Sequence, residues 1–459
     1  MSTNSTPLLT PLLTFWTGVE SVTGANFLLE IDDKKILVDC GLIQGEKSAM
    51  HENRDPFGYD PKSIDILFVT HAHLDHVGRI PKLVKEGFKG VIYSTPETKA
   101  LAELILTDAV GLLERFANEE GILPLYEIQD MKNAMNLWKS IPYHTETTFG
   151  NFSIYLKDAG HILGSSIIQF TYEGKKIVFT GDLGNSPTPL LRDTESIAGA
   201  NYVIMESVYG DRNHEPKDER RQKFESIIKD TISRGGALVI PAFSLERTQV
   251  ILYEINKLVE SKTIPSVPVY VDSPLATHVT EVYKSSSNLF NDRAQSEIHG
   301  GDDLFNFPRL SFTVSREESQ NIDHSKSPKI IIAGSGMSVG GRITHHEELY
   351  LPDPKNTILL VGYQTLGTIG RHLLDGQRKI YIGGREIEVK AKIESILGYS
   401  SHKDSDHLVE FALTAQATAK KIFVVMGELK SSAFLAQRIN NELGIKAICP
   451  ERGVKYKLE

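Results

Sequence analysis

The run from Ile66 to Gly78 reads Ile-Leu-Phe-Val-Thr-His-Ala-His-Leu-Asp-His-Val-Gly, and it constrains the fold more than any other part of the chain. Its first half is apolar and rich in β-formers, as an interior strand requires, and the Gly-Arg-Ile-Pro that follows opens a helix. Four potential metal ligands, His71, His73, Asp75 and His76, therefore crowd onto one strand-to-helix loop. His71 and His73 are two apart and project to the same side of extended backbone. Asp75 and His76, at the helix entrance, turn toward a second position. Such density points to a metal, and the cluster can serve two adjacent ions. The plain alternative is a group of surface histidines with no shared role.

Two later segments extend this set. His161 stands in Asp158-Ala-Gly-His-Ile-Leu-Gly164 and Asp182 in Phe179-Thr-Gly-Asp-Leu-Gly184, both at the ends of predicted strands and beside glycines. Imidazole and carboxylate together suit zinc, and an aspartate can bridge two ions because its oxygens diverge. The expected ligand sets are His71, His73 and His161 for one zinc, Asp75 and His76 for the other, and Asp182 shared between them.

The rest of the first 200 residues alternates short strands and helices, with strands expected at 26–31, 35–39, 66–70, 90–94, 152–157, 166–171, 176–180 and 202–205. Helical periodicity runs over 97–118 and 128–140. A second αβ region follows Glu206, with helices at 216–234 and 246–260 and strands at 237–241, 267–272, 329–333 and 357–362. This alternation implies a parallel sheet with crossover helices. Residues 290–327 look polar, irregular and loop-rich, and the tail offers a strand at 422–426 and a helix at 431–443.

At 459 residues the chain exceeds one compact core, so two domains, or one carrying a large insertion, are expected. Met1 to Thr14 has no Lys or Arg and no long apolar run, unlike a signal peptide or a membrane helix. The two cysteines, Cys40 and Cys449, lack metal-type spacing and read as buried thiols of a reducing compartment. A cytoplasmic protein without a membrane partner is the expectation. The net charge of −9 argues against a broad non-specific grip on nucleic acid, although a local basic groove is compatible with it.

With these segments in view, the sequence resembles the metallo-β-lactamase superfamily, whose HxHxDH hallmark stands here as His71-Ala-His-Leu-Asp-His76. Met205–Asp211, Pro241–Gln249, Val271–Ala276, Gly334–Arg342 and Gly362–Thr368 look like its β-CASP branch, the RNA and DNA nucleases that include RNase J and the pre-mRNA 3′-end cleavage endonuclease. The resemblance runs from about Phe15 to the end. It implies a metallo-β-lactamase αββα sandwich with an inserted parallel-sheet α/β β-CASP domain. The first part of the sandwich would cover 1–207, the insertion 208–387 and the C-terminal part 388–459, with substrate in the cleft between the two.

The resemblance further implies zinc, two ions per subunit, and single-stranded RNA as substrate, with a homodimer possible. Water attack on phosphorus by a zinc-bound hydroxide would leave a 5′-phosphate and a 3′-hydroxyl. The acidic motif A falls on Glu206 and the motif B histidine on His402, which with Asp75 form the catalytic candidates. His402 is the natural general acid, and Glu206 would orient its ring and keep it protonated. Taken alone, each reads as an ordinary surface residue. Asp39 is expected to buttress the histidine loop. Ser335, Ser338, Arg342, Arg247 and Ser401 are candidate holders of substrate phosphates, an internal ion pair being the alternative for each arginine. His345 and His346 read as packing or RNA contacts.

One position departs from the pattern. Motif C reads Val424-Val-Met-Gly-Glu428, with Met426 where the family has a zinc-binding histidine. A neutral thioether is a poor substitute for imidazole, so the second zinc is expected to be weakened. His407 is a less favoured replacement. The expected activity is endonucleolytic, by analogy, because the chain ends soon after the core and lacks the extra C-terminal domain associated with RNase J. The other readings are a hydrolase of a small ester or thioester, and a degenerate RNA-binding or scaffold subunit disabled by Met426.

Overall fold

The computed structural model describes residues 10–45, 47–365 and 367–459. Residues 1–9 of the opening stretch and Leu366 of the Gly362–Thr368 motif lie outside them. The chain divides into two compact units. The first comprises residues 1–186, 193–213 and 402–459, and the second 187–192 and 214–401. The second unit thus returns to the first at His402, later than the expected boundary at 388, because the strand Lys392–Ser395 pairs with Thr357–Leu360 inside the second unit's sheet.

Two seven-stranded sheets face each other in the first unit. One runs in the order Lys455–Lys457, Leu12–Thr17, Asn26–Ile31, Lys34–Val38, Ile66–Phe68, Val91–Ser94, Trp138–Ser140. The other runs Ala447–Ile448, Lys421–Val425, Tyr202–Glu206, Lys175–Phe179, Ser166–Tyr172, Phe152–Asp158, Thr147–Phe149. Their shared core holds Phe15, Phe27 and Phe68 from the first sheet against Phe152, Phe170, Phe179 and Phe423 from the second. Phe68 and Phe170 meet edge-on with ring centroids 5.3 Å apart, a favourable aromatic geometry.

Strand period fixes the second layer. Along Tyr202–Glu206, Tyr202 and Ile204 enter the inter-sheet core while Val203 and Met205 face the opposite side. There they meet Leu408, Phe411, Leu435 and Ile439 from the helices Ser405–Leu413 and Leu429–Arg438 and the turn that follows. A strand covered on both faces is apolar throughout, as this one is up to Glu206. On the other flank, the helix Pro96–Glu120 packs against Trp138–Ser140. The helix expected over 128–140 stops at Asn136, and Trp138 pairs beside Ile92 as an edge strand.

The second unit is built on a six-stranded, wholly parallel sheet in the order Leu310–Phe312, Val269–Asp272, Lys329–Ala333, Ala237–Pro241, Thr357–Leu360, Lys392–Ser395. Residues 290–327 are more regular than their polarity suggests. They carry the helices Asp292–His299 and Arg316–His324 and the strand Leu310–Phe312. Ser315 and Glu318 form a reciprocal capping box at the second helix, a short polar signal easily read as loop. Cys40 is buried as expected, but Cys449 is exposed, beside the short edge strand Ala447–Ile448. Among the described residues no helix is long and apolar enough to cross a membrane.

Candidate metal centre

The strand Ile66–Phe68 delivers the chain to Thr70, and the helix Leu74–Val77 begins with His73 as its N-cap residue. Close backbone approach holds this turn. A Cβ on Gly41 would lie 1.5 Å from the Asp75 carbonyl oxygen, so only glycine fits there. Cys40 N–H donates to His76 O and Leu42 N–H to Leu74 O, which ties the ligand loop to its neighbour.

His71, His73, His161 and Asp182 converge on one position. His73 Nδ1 lies 3.1 Å from His71 Nε2 and 3.2 Å from His161 Nε2, while Asp182 Oδ2 lies 3.4 and 3.5 Å from His71 Nε2 and His161 Nε2. Ligands about 2.0–2.1 Å from a tetrahedral zinc stand about 3.3 Å from one another, so these separations match a zinc shell. Burial, and then repulsion from the other imidazoles, holds His73 and His161 well below the ordinary histidine range. Their lone pairs are therefore available. A cation at this position would accept all three converging nitrogens at once, whereas the single proton of one ring can serve only one of its neighbours at a time.

Asp75, His76 and Asp182 form a second group. His76 Nε2 and Asp182 Oδ1 are 3.4 Å apart, and both are buried without a hydrogen-bond partner. Orphaned buried polar atoms are costly, and a cation would satisfy both at once. Burial opposes a charge on His76, yet Asp182, Asp39 and Asp75 hold its affinity for a proton well above normal. The position attracts positive charge.

Asp39 organises the loop from behind. One carboxylate oxygen accepts from Thr70 N–H at 2.8 Å; the other accepts from Thr70 Oγ1 at 2.8 Å and pairs with His76 Nδ1 at 2.8 Å. A protonated His76 Nδ1 leaves Nε2 as the ligating atom. Thr70, which sequence reasoning passed over, lies between Asp39 and the ring of His71, with Oγ1 3.1 Å from His71 Nδ1. The available signal was a hydroxyl immediately before the first histidine at a buried strand end.

Glu206 and His402 come together beside this cluster. Glu206 is buried at the end of its strand, and its carboxylate accepts from the backbone N–H groups of Leu183 at 2.6 Å and Val208 at 3.3 Å. His402 Nδ1 lies 3.1 Å from Glu206 Oε1, and its Nε2 is 4.0 Å from Asp182 Oδ2. Burial disfavours the imidazolium, but the charge of Glu206, then that of Asp182 and the bond to Glu206, raise His402 to about 9. Asp75 is shifted upward by burial.

The phosphate-binding candidates belong to the second unit. Two of them have internal partners. Ser338 is fully buried and its hydroxyl donates to Glu347 Oε1 at 2.5 Å, because a left-handed backbone turns it inward. Arg342 donates to Asp272 Oδ1 at 2.6 Å and to the carbonyl oxygens of Thr313 and Val314, so its fork is held within its own unit. Ser335 is half-buried, with Oγ bridging the N–H and carbonyl of Val339. Arg247 is buried at the first turn of Arg247–Glu260, and Ser401 is half-buried. His346 is buried against Asp272 at 2.7 Å, whereas exposed His345 pairs with Asp323. His407 bonds Asp404 at 2.6 Å and joins none of the metal groups.

The metallo-β-lactamase superfamily model matches residues 22–241, the Beta-Casp domain 248–373 and the Zn-dependent metallo-hydrolase RNA specificity domain 386–450. A ribonuclease of Thermus thermophilus is 35% identical over 86% of this chain and 89% of its own length. The chain belongs to the β-CASP family of the metallo-β-lactamase superfamily. Other members include an RNase J-like protein of Methanocaldococcus jannaschii, 33% identical over 96% of this chain and 98% of that protein. The transcription termination factor FttA of Methanosarcina mazei is 31% identical over 94% of this chain and 69% of its own. A crystal structure of a protein of unknown function from Enterococcus faecalis V583 shares the fold, with a TM-score of 0.58 at 14% identity over 98% of this chain and all of that one. Among the described residues the His and Asp clusters above, together with Asp182, Glu206 and His402, are groups that could hold a metal ion.

Proposed function

We propose that this β-CASP protein is a zinc-dependent endoribonuclease of the cytoplasm that hydrolyses phosphodiester bonds in single-stranded RNA, leaving a 5′-phosphate and a 3′-hydroxyl. The observation that carries the reading is the Glu206–His402 pair beside the His71, His73, His161 and Asp182 cluster. Family membership and the ribonuclease among the relatives support the substrate class.

His71, His73, His161 and Asp182 would hold one zinc, and Asp75, His76 and Asp182 a second, weaker ion. When bound, such ions acidify water and neutralise charge on phosphoryl oxygens. His402 keeps its proton at neutral pH, since Glu206 raises it to about 9, and its Nε2–H is the donor to the ribose oxygen that leaves phosphorus. Glu206 accepts from Nδ1–H and fixes the ring, while its bonds to Leu183 and Val208 fix the carboxylate. Asp75, whose proton affinity burial raises, is the candidate acceptor for a proton of the attacking water.

A 5′-labelled unstructured RNA, incubated with the full chain across added zinc and with His73→Ala as control, tests the reading. Internal cuts that disappear in the variant are expected. Release of labelled mononucleotides alone would instead indicate 5′-exonucleolytic attack, and RNA binding without any cleavage by the metal-loaded protein would indicate a binding subunit.

A further inference from the structure

The two metal positions differ in chemistry. The first offers three imidazoles and a carboxylate, whereas Asp75, His76 and Asp182 offer the second two carboxylates and one imidazole. Beside them Asp182, Glu206 and His402 form a third group, used in the functional reading as the acid pair. The motif C position falls on Met426, and its environment is that of a packing residue. Its side chain is 2% exposed and belongs to the apolar core between the two sheets. Its Sδ lies 2.7 Å from where a Cβ on Gly18 would stand, and its N–H donates to Gly18 O at 2.8 Å. With φ at +50°, Met426 occupies the left-handed region, where His, Asn and Asp are enriched and long apolar side chains are uncommon.

A thioether adds neither charge nor a hard donor, so the second position is oxygen-rich. Zinc favours imidazole-rich tetrahedral sets, while carboxylate-rich sets completed by water suit harder octahedral cations. His76 Nε2 and Asp182 Oδ1, 3.4 Å apart, buried and without a hydrogen bond, nonetheless present two facing ligand atoms to a cation there. We propose that the centre is heterobimetallic, with zinc retained by His71, His73, His161 and Asp182 and an exchangeable hard divalent cation, manganese in its chemistry, held by Asp75, His76 and Asp182. The proposal rests on the metal-hydrolase part of the functional reading and not on the identity of the substrate.

The test uses the full chain, stripped of metal, reloaded with zinc and dialysed. Zinc is then counted by elemental analysis, and manganese is titrated while the signal of the free aqueous ion is followed by electron paramagnetic resonance. One zinc and one manganese per chain are expected. Asp75→Asn should weaken manganese binding by about tenfold or more, the scale of losing even an outer partner of a ligand, with zinc content unchanged. Met426→His should raise retained zinc from one to two per chain and abolish manganese uptake. Two zinc ions retained by the unaltered protein, no manganese uptake, or manganese affinity unmoved by Asp75→Asn would each overturn the proposal. Should Met426→His fail to fold, the Asp75→Asn titration still decides. Loss of the ribonuclease reading would show as intact RNA with both ions bound, an outcome separate from every metal count.

Discussion

At the scale of single residues, the proposed chemistry turns on one proton at His402. The imidazolium form is present below about 9 and lost above it, so kcat/KM for RNA cleavage should fall on the alkaline side with a limb set by this group. Replacing Glu206 by Gln removes the negative charge that favours the imidazolium, and the limb should move to lower pH. An unmoved limb would show that Glu206 does not tune the acid. His402→Ala should lower the rate by about 10²–10⁴-fold with zinc content intact, and loss of zinc in that variant would contradict the general-acid role. The clustering of the candidate ligands was legible in the sequence because four of them are near neighbours on one loop. Thr70 was not, because its value lies in reaching Asp39, a residue distant in sequence, with both its N–H and its hydroxyl.

At the scale of elements, the helix Arg342–Tyr350 shows how the residues of a motif can be engaged inside their own unit. Arg342 and His346, one turn apart, both reach Asp272 at the end of the strand Val269–Asp272. Thr313 and Ser319 donate to the same carboxylate. Asp272 is consequently held low despite its burial, and the helix is fastened to the strand end by an ion pair. Next to it, burial raises Glu347 to about 7, against the bond from Ser338. A carboxyl whose affinity for protons is higher in the folded state stabilises the fold below its ordinary pKa, and that contribution is lost as pH rises through about 7. Glu347→Gln should therefore increase Tm relative to the unaltered protein more at pH 8 than at pH 5. Equal differences at the two pH values would show that Glu347 does not titrate in this window. No sequence pattern distinguishes a guanidinium turned to an internal aspartate from one free for a phosphate.

At the scale of the whole molecule, the fold is expected to form without metal, and metal to add to its stability. The core between the two sheets is aromatic and aliphatic and does not depend on the ligands, so removal of metal should leave the far-ultraviolet circular dichroism unchanged while lowering Tm by mass action. Collapse of that signal in chelator would mean that metal is needed to fold. The sequence by itself determined the alternation of strands and helices, the ligand loop and the presence of a second parallel αβ region, because side-chain period and local ligand spacing are written within short windows. Tertiary structure decided the rest. Lys392–Ser395 joined the second unit through pairing with Thr357–Leu360, Arg342 was claimed by Asp272, and Met426 went to the inter-sheet core. Each outcome depends on a partner far away in the chain, and contacts of that kind are set by packing and burial in the folded molecule.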